Sequence, residues 1–115
     1  MFQRFFGGSN STIPAISPPD AWKRLSQTGA KPVLIDVREG WEFKSGHAKG
    51  AKNIPLSQIQ ERVGEVPRDR EVLLICQSGH RSMRAAKFLQ DQGIEQIVNV
   101  TGGTTVWKMH GIPME

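Results

Sequence analysis

The chain has 115 residues, 37% hydrophobic and 23% charged, which suits one soluble globular domain and excludes a disordered chain. Its net charge of +4, from 15 Lys and Arg against 11 Asp and Glu, favours small anionic substrates; with no run of five basic residues and no aromatics interleaved with arginine, nucleic acid is not an expected partner. A single cysteine excludes an internal disulfide and fits a reducing compartment, and no window approaches eighteen apolar residues, so the cytoplasm is expected and a membrane span is not.

Residues 1–13 read as a flexible N-terminal arm. The stretch MFQRFF carries Phe2, Phe5 and Phe6 but reaches Gly7 and Gly8 before an apolar core of a secretory signal develops, and GGSNST is linker-like. One domain is expected over 14–115. Its first helix starts at SPPDAWKRL, with Ser17 as N-cap, Pro18 in the first turn and Asp20 as a capping-box variant; Gly29 is the expected stop.

PVLIDV (32–37) is a short apolar run between Pro32 and Arg38, the pattern of a buried strand. EGWEFKSG predicts a helical turn closed by Gly46, and GHAKGAKNIP a turn that seats the next segment. IPLSQIQERVG predicts a helix with Leu56, Ile59 and Val63 on one face. EVLLIC (71–76) is a second strand, RSMRAAKFLQDQG a helix ended by Gly93, EQIVNV (95–100) a third strand, and GGTTVWKMHG a last helical segment with Trp107 facing the core. The tripeptide SGH occurs at 45–47 and 78–80, but two copies with different flanks do not make a repeat architecture. Short apolar strands alternating with helices predict an α/β fold, a mostly parallel central sheet with helices on both faces. Sites in such folds gather beyond the carboxyl ends of the strands, here the loops after Val37 and Ile75.

The second of these loops carries the lone thiol. A free cysteine at a strand end is by default a packing residue. CQSGHRS (76–82) departs from that default. Gly79 allows a left-handed turn, and a curled loop ahead of a helix turns successive backbone N–H groups inward as an anion nest. The helix N-terminus, His80 and Arg81 add positive potential, and each of these favours a thiolate at Cys76. The single Cys and the scattered His47, His80 and His110 show no metal-ligand spacing, and no second Cys supports a dithiol. What remains is a nucleophilic sulfur in an anion-binding loop.

In three stretches the chain resembles the rhodanese family, specifically its small single-domain members. LIDVREGWEFKSGHAKGAKNIP (34–55) resembles the family's first signature, CQSGHRS its active-site loop, and GGTTVWKMHGIP (102–113) its closing pattern. The resemblance implies a single-domain rhodanese-like fold and sulfur transfer. Cys76 would take the outer sulfur of thiosulfate or a similar anionic donor, then pass it from a persulfide to cyanide, a thiol or a protein acceptor, with no metal or organic cofactor. By the same resemblance Gln77, Ser78, Gly79, His80, Arg81 and Ser82 would hold the substrate. Arg81 would help bind the donor, Ser82 could cap the helix, and His80 would either touch substrate or face solvent. Arg38, at the same mouth, could reach the donor, while Asp36 and His47 would support the site.

Two other readings stand beside this one. A cysteine phosphatase also ends its nest in arginine, but the phosphatase relatives have five residues between Cys and Arg, where this chain has only Gln77 to His80. A sulfur-carrier or binding module would use the same thiol inside a larger system.

Overall fold

Alternation along the strands decides where the site lies. The computed structural model describes residues 12–115, so most of the expected arm, residues 1–11, lies outside the described residues. Residues Val72, Leu74 and Cys76 face one core cluster, whereas Leu73 and Ile75 face another on the opposite side of the sheet. This period of two is what an extended chain buried on both faces must show. It carries Cys76 onto the same side as Leu74, one residue past the strand end.

The elements run β1 (Ala15–Ile16), α1 (Pro18–Leu25), β2 (Val33–Asp36), α2 (Gly40–Lys44), β3 (Lys52–Asn53), β4 (Val72–Ile75), α3 (His80–Asp91), β5 (Ile97–Val100) and α4 (Gly103–Met109). All strand pairs are parallel, in the order β1-β5-β4-β2-β3. Central β4 pairs with β2 from Val33↔Val72 to Asp36↔Ile75, so both central strands end at the same level. Helix α3 covers one face through Ala85, Ala86 and Leu89; α1 and α4 cover the other through Ala21 and Trp107. Trp107 is fully buried, edge-on to Trp22 at 6.2 Å, and its indole N–H donates to Pro113 O at 3.0 Å. Trp41 differs from it: this side chain is 75% exposed on α2.

The long strands and all but one of the expected helices are present, with differences that have local causes. Ser17 caps α1, its Oγ accepting from Asp20 N at 3.3 Å. The helix ends at Leu25 rather than at Gly29, because Ser26 takes the C-cap and its hydroxyl donates to Trp22 O at 2.8 Å. In place of the helix expected over 54–64 there are two 3-10 turns, Leu56–Gln58 and Val63–Glu65. A spacing of three, Leu56 to Ile59 and Val63 to Val66, suits a 3-10 turn as well as an α-helix. Backbone anchoring of Leu56 N to Val37 O at 2.9 Å ties the first turn to the end of β2. Two-residue strands β1 and β3 are too short to leave a periodic signal. Ile13, expected in the arm, is buried in the core at 8% exposure.

Candidate active site

The loop after β4 is built around a backbone turn. Gly79 is the N-cap of α3 at φ +105°, a conformation in which a Cβ is strained, and no side chain caps the helix. The uncapped N–H groups are left to another acceptor, and the thiol takes that place. Gly79 N donates to Cys76 Sγ at 3.1 Å, and the amides of Ser78 and Ser82 also act on the sulfur. Cys76 is 1% exposed. Burial pushes its pKa up, but the Ser82 hydroxyl and the amides of Ser82, Gly79 and Ser78 together outweigh it and leave the thiol below its ordinary value.

Ser82 does not cap the helix as expected. It lies fully buried inside the first turn, with Oγ 3.3 Å from Cys76 Sγ, and it donates to Asn99 Oδ1 at 2.6 Å. A hydroxyl has one proton. While that proton goes to Asn99, the Cys76 thiol must be the donor to Ser82; once the sulfur ionises, the hydroxyl can turn and donate to it. Asn99 is held in place by its own amide, which donates to Gly79 O at 3.3 Å. The sequence signal for Asn99 is a polar residue inside an apolar strand, IVNV, at the parity of Ile97. Strand alternation therefore sets it on the α3 face with the thiol.

The third wall of the loop is the start of α4. Thr104 N and Thr104 Oγ1 donate to Cys76 O at 2.8 and 3.1 Å, and Thr105 N donates to Gln77 O at 3.1 Å. Gln77 turns its amide away from the sulfur, to Thr105 Oγ1 at 2.9 Å. This close approach needs Gly103: a Cβ there would lie 2.3 Å from Cys76 O. Ser78 and His80 are paired to each other on the exposed rim, Oγ to Nδ1 at 3.1 Å.

Both arginines expected at the mouth are paired with carboxylates. Arg38 is 4% exposed and turned inward. Its Nε and Nη2 donate to Asp36 at 2.8–3.1 Å, and Nη2 also donates to Gly46 O at 2.8 Å. A guanidinium so committed is a strut between β2 and the loop after α2. Arg81 points its terminal nitrogens at Glu42 on α2, at 2.7 and 3.0 Å. The Arg81 guanidinium holds the Glu42 carboxyl at about 2, with a contribution from the Glu39 amide, against a smaller opposing effect of burial. Glu42 is a residue of the site that sequence reasoning passed over, since a Glu in an amphipathic turn carries no signal of its own. His47 fastens the loop below: Nδ1 is 2.9 Å from Phe43 O, the ring stacks on Phe43 at 3.6 Å, and its backbone exchanges two hydrogen bonds with Glu115 at 2.7 and 2.9 Å.

A thiol poised for ionisation in a cup of amides can attack an electron-poor atom and then hold the resulting anion. Comparisons with known proteins show the family of the chain. The family model described as Rhodanese-like domain matches residues 17–110. The uncharacterized protein YqhL of Bacillus subtilis is 49% identical over 77 residues, 67% of this chain and 61% of YqhL, so the chain matches less than two thirds of that relative's length. The thiosulfate sulfurtransferase GlpE of Actinobacillus pleuropneumoniae is 31% identical over 106 residues, covering 92% of this chain and 96% of GlpE. Among solved structures, a rhodanese-related protein from Thermoplasma volcanium superposes with a TM-score of 0.81 at 31% identity, over 90% of this chain and 98% of its own. With a family model matching residues 17–110 and a relative 31% identical across nearly its whole length, the protein belongs to the rhodanese-like family, with sulfurtransferases among its relatives.

Proposed function

We propose that this protein transfers a sulfane sulfur through a persulfide on Cys76. The thiolate attacks the outer sulfur of thiosulfate or a similar anionic donor. A new S–S bond forms to Sγ, the donor's S–S bond breaks, and its electron pair leaves with sulfite. The terminal sulfur of Cys76 carries the negative charge until a thiol, cyanide or a protein acceptor takes the sulfur and regenerates the thiolate. The amides of Ser78, Gly79 and Ser82 act on Sγ, where the charge resides before the step, and the outer sulfur that carries it afterwards is only one S–S bond away.

The observation that carries this reading is the 3.1 Å approach of Gly79 N to Sγ at a thiol whose pKa is lowered despite burial. It supports a nucleophile over a packing residue. Near-complete burial of Cys76 also favours delivery of a single sulfur atom over attack on a bulky tetrahedral phosphate. Four residues between Cys76 and Arg81, with that arginine held by Glu42, weaken the phosphatase alternative further.

Intact mass after incubation with thiosulfate tests the reading: a gain of one sulfur atom on the native protein, removed by cyanide, is expected. The Cys76→Ser protein should melt cooperatively and gain nothing. Sulfur transfer to cyanide by Cys76→Ser would remove the nucleophile assignment.

A further inference from the structure

Arg38 and Arg81, the two arginines expected at the mouth, are each paired with a carboxylate. Arg38 is paired with Asp36 in the protein interior, and Arg81 with Glu42 through both terminal nitrogens. Glu42 is fixed twice: Oε1 also accepts the Glu39 backbone N–H at 2.9 Å in a capping box at the start of α2. The carboxylate is therefore a built part of helix α2 and not a chance surface partner. Arg81 keeps a third of its side chain exposed and is close enough to feel the charge of Cys76. The fixed positive charge that Arg81 brings to CQSGHRS is thus offset by Glu42, and the amides are left to attract an anion.

We propose that Glu42 is a specificity-determining residue: by cancelling Arg81 it tunes the mouth toward sulfur donors of low charge and against dianions. The proposal rests on the sulfurtransferase reading above and adds a donor class to it, monoanionic sulfane-sulfur compounds such as thiosulfonates. The chemistry balances for both donor classes. The Cys76 thiolate takes the outer sulfur of thiosulfate and releases sulfite, or takes the outer sulfur of a thiosulfonate and releases a sulfinate. In each case one S–S bond forms, one breaks, and total charge is unchanged. The donors differ in leaving group and bulk, which both variants share, and in the charge brought past Arg81, which the variants separate.

The test compares kcat/KM for thiosulfate with kcat/KM for benzenethiosulfonate, a monoanion with the same transferable sulfur, in the native protein and in Glu42→Gln. Freeing Arg81 should raise the thiosulfate-to-thiosulfonate ratio about tenfold, as one unit charge acting over several ångströms in a partly solvated site would do. Most of the change should appear in KM for thiosulfate, and it should shrink as salt is added. Replacing Arg81 by Gln in the Glu42→Gln background should return the ratio to near its native value. If Glu42→Gln fails to melt cooperatively, Glu42→Asp, with a shorter and less well-aligned carboxylate, carries the test and should move the ratio in the same direction. An unchanged or lowered ratio in a folded variant overturns the proposal while leaving sulfur transfer intact. Absence of a Cys76 persulfide from either donor in the native protein overturns the underlying reading and this proposal with it.

Discussion

Gly103→Ala isolates the contact that shapes the thiol loop. At φ +56° an alanine loses about 1 kcal/mol to the left-handed conformation alone. Its Cβ would also stand 2.3 Å from Cys76 O and 2.7 Å from Gln77 C and O, all backbone atoms that cannot rotate away. Restoring ordinary contact requires the Cys76–Gln77 peptide to retreat by about 1 Å, an overpacking cost of roughly 1–3 kcal/mol. The total loss of stability is therefore about 2–4 kcal/mol. The same shift lengthens the bonds from Thr104 and Thr105 to that peptide and turns the amides at residues 78 and 79 off the sulfur. Persulfide formation should then slow by about 100-fold, as for other ångström-scale misplacements of reacting groups. Gly111→Ala is the matched control: φ is +67°, but nothing lies within 4 Å of the added carbon, so only the conformational cost applies. Urea unfolding and single-turnover mass spectrometry give the two readouts. Equal destabilisation by the two alanines, with a native rate of persulfide formation in Gly103→Ala, would refute the reasoning.

Three further outcomes follow from the buried polar groups. Arg38→Met leaves the Asp36 carboxylate buried without its partner and should cost about 3–5 kcal/mol in urea unfolding; native stability with a raised KM for the donor would instead make Arg38 a donor-binding residue. The folded Cys76 thiol ionises below its ordinary value, so its contribution to stability is complete above the ordinary thiol pKa and is lost as pH falls through the lowered one. The stability advantage of the native protein over Cys76→Ser should accordingly grow as pH rises toward 9, and the rate of persulfide formation should rise over the same lowered range. Ser82→Ala, which removes a hydrogen bond to the sulfur, should move that profile toward alkaline pH and slow the reaction at neutral pH by about tenfold; an unmoved profile would assign Ser82 to Asn99 alone.

The amino-acid sequence by itself determined the apolar runs that become β2, β4 and β5, the Ser17 cap, the helix after Gly79 and the position of the thiol between strand and helix. These are local properties: a buried strand must be apolar, a left-handed turn favours glycine, and a helix start leaves N–H groups unpaired. Asn99 was open to the alternation rule, as a polar residue at the parity of Ile97, but nothing within its own strand says that Ser82 would be its partner. The tertiary structure decided the rest. Whether Arg81 serves a donor or a carboxylate depends on Glu42, which lies far from it in the chain and is brought close by α2, whereas the partner of Arg38 is its near neighbour Asp36. A guanidinium reads as positive potential in a string of letters, but its field is set by the nearest opposite charge in space. The closing Gly-Gly pattern likewise reads as a helix start, and only the fold shows that Gly103 has no Cβ because the Cys76 carbonyl lies where one would be. Both are long-range facts: a charge pair and a close backbone contact join segments far apart in the chain, where periodicity and propensity carry no information about them.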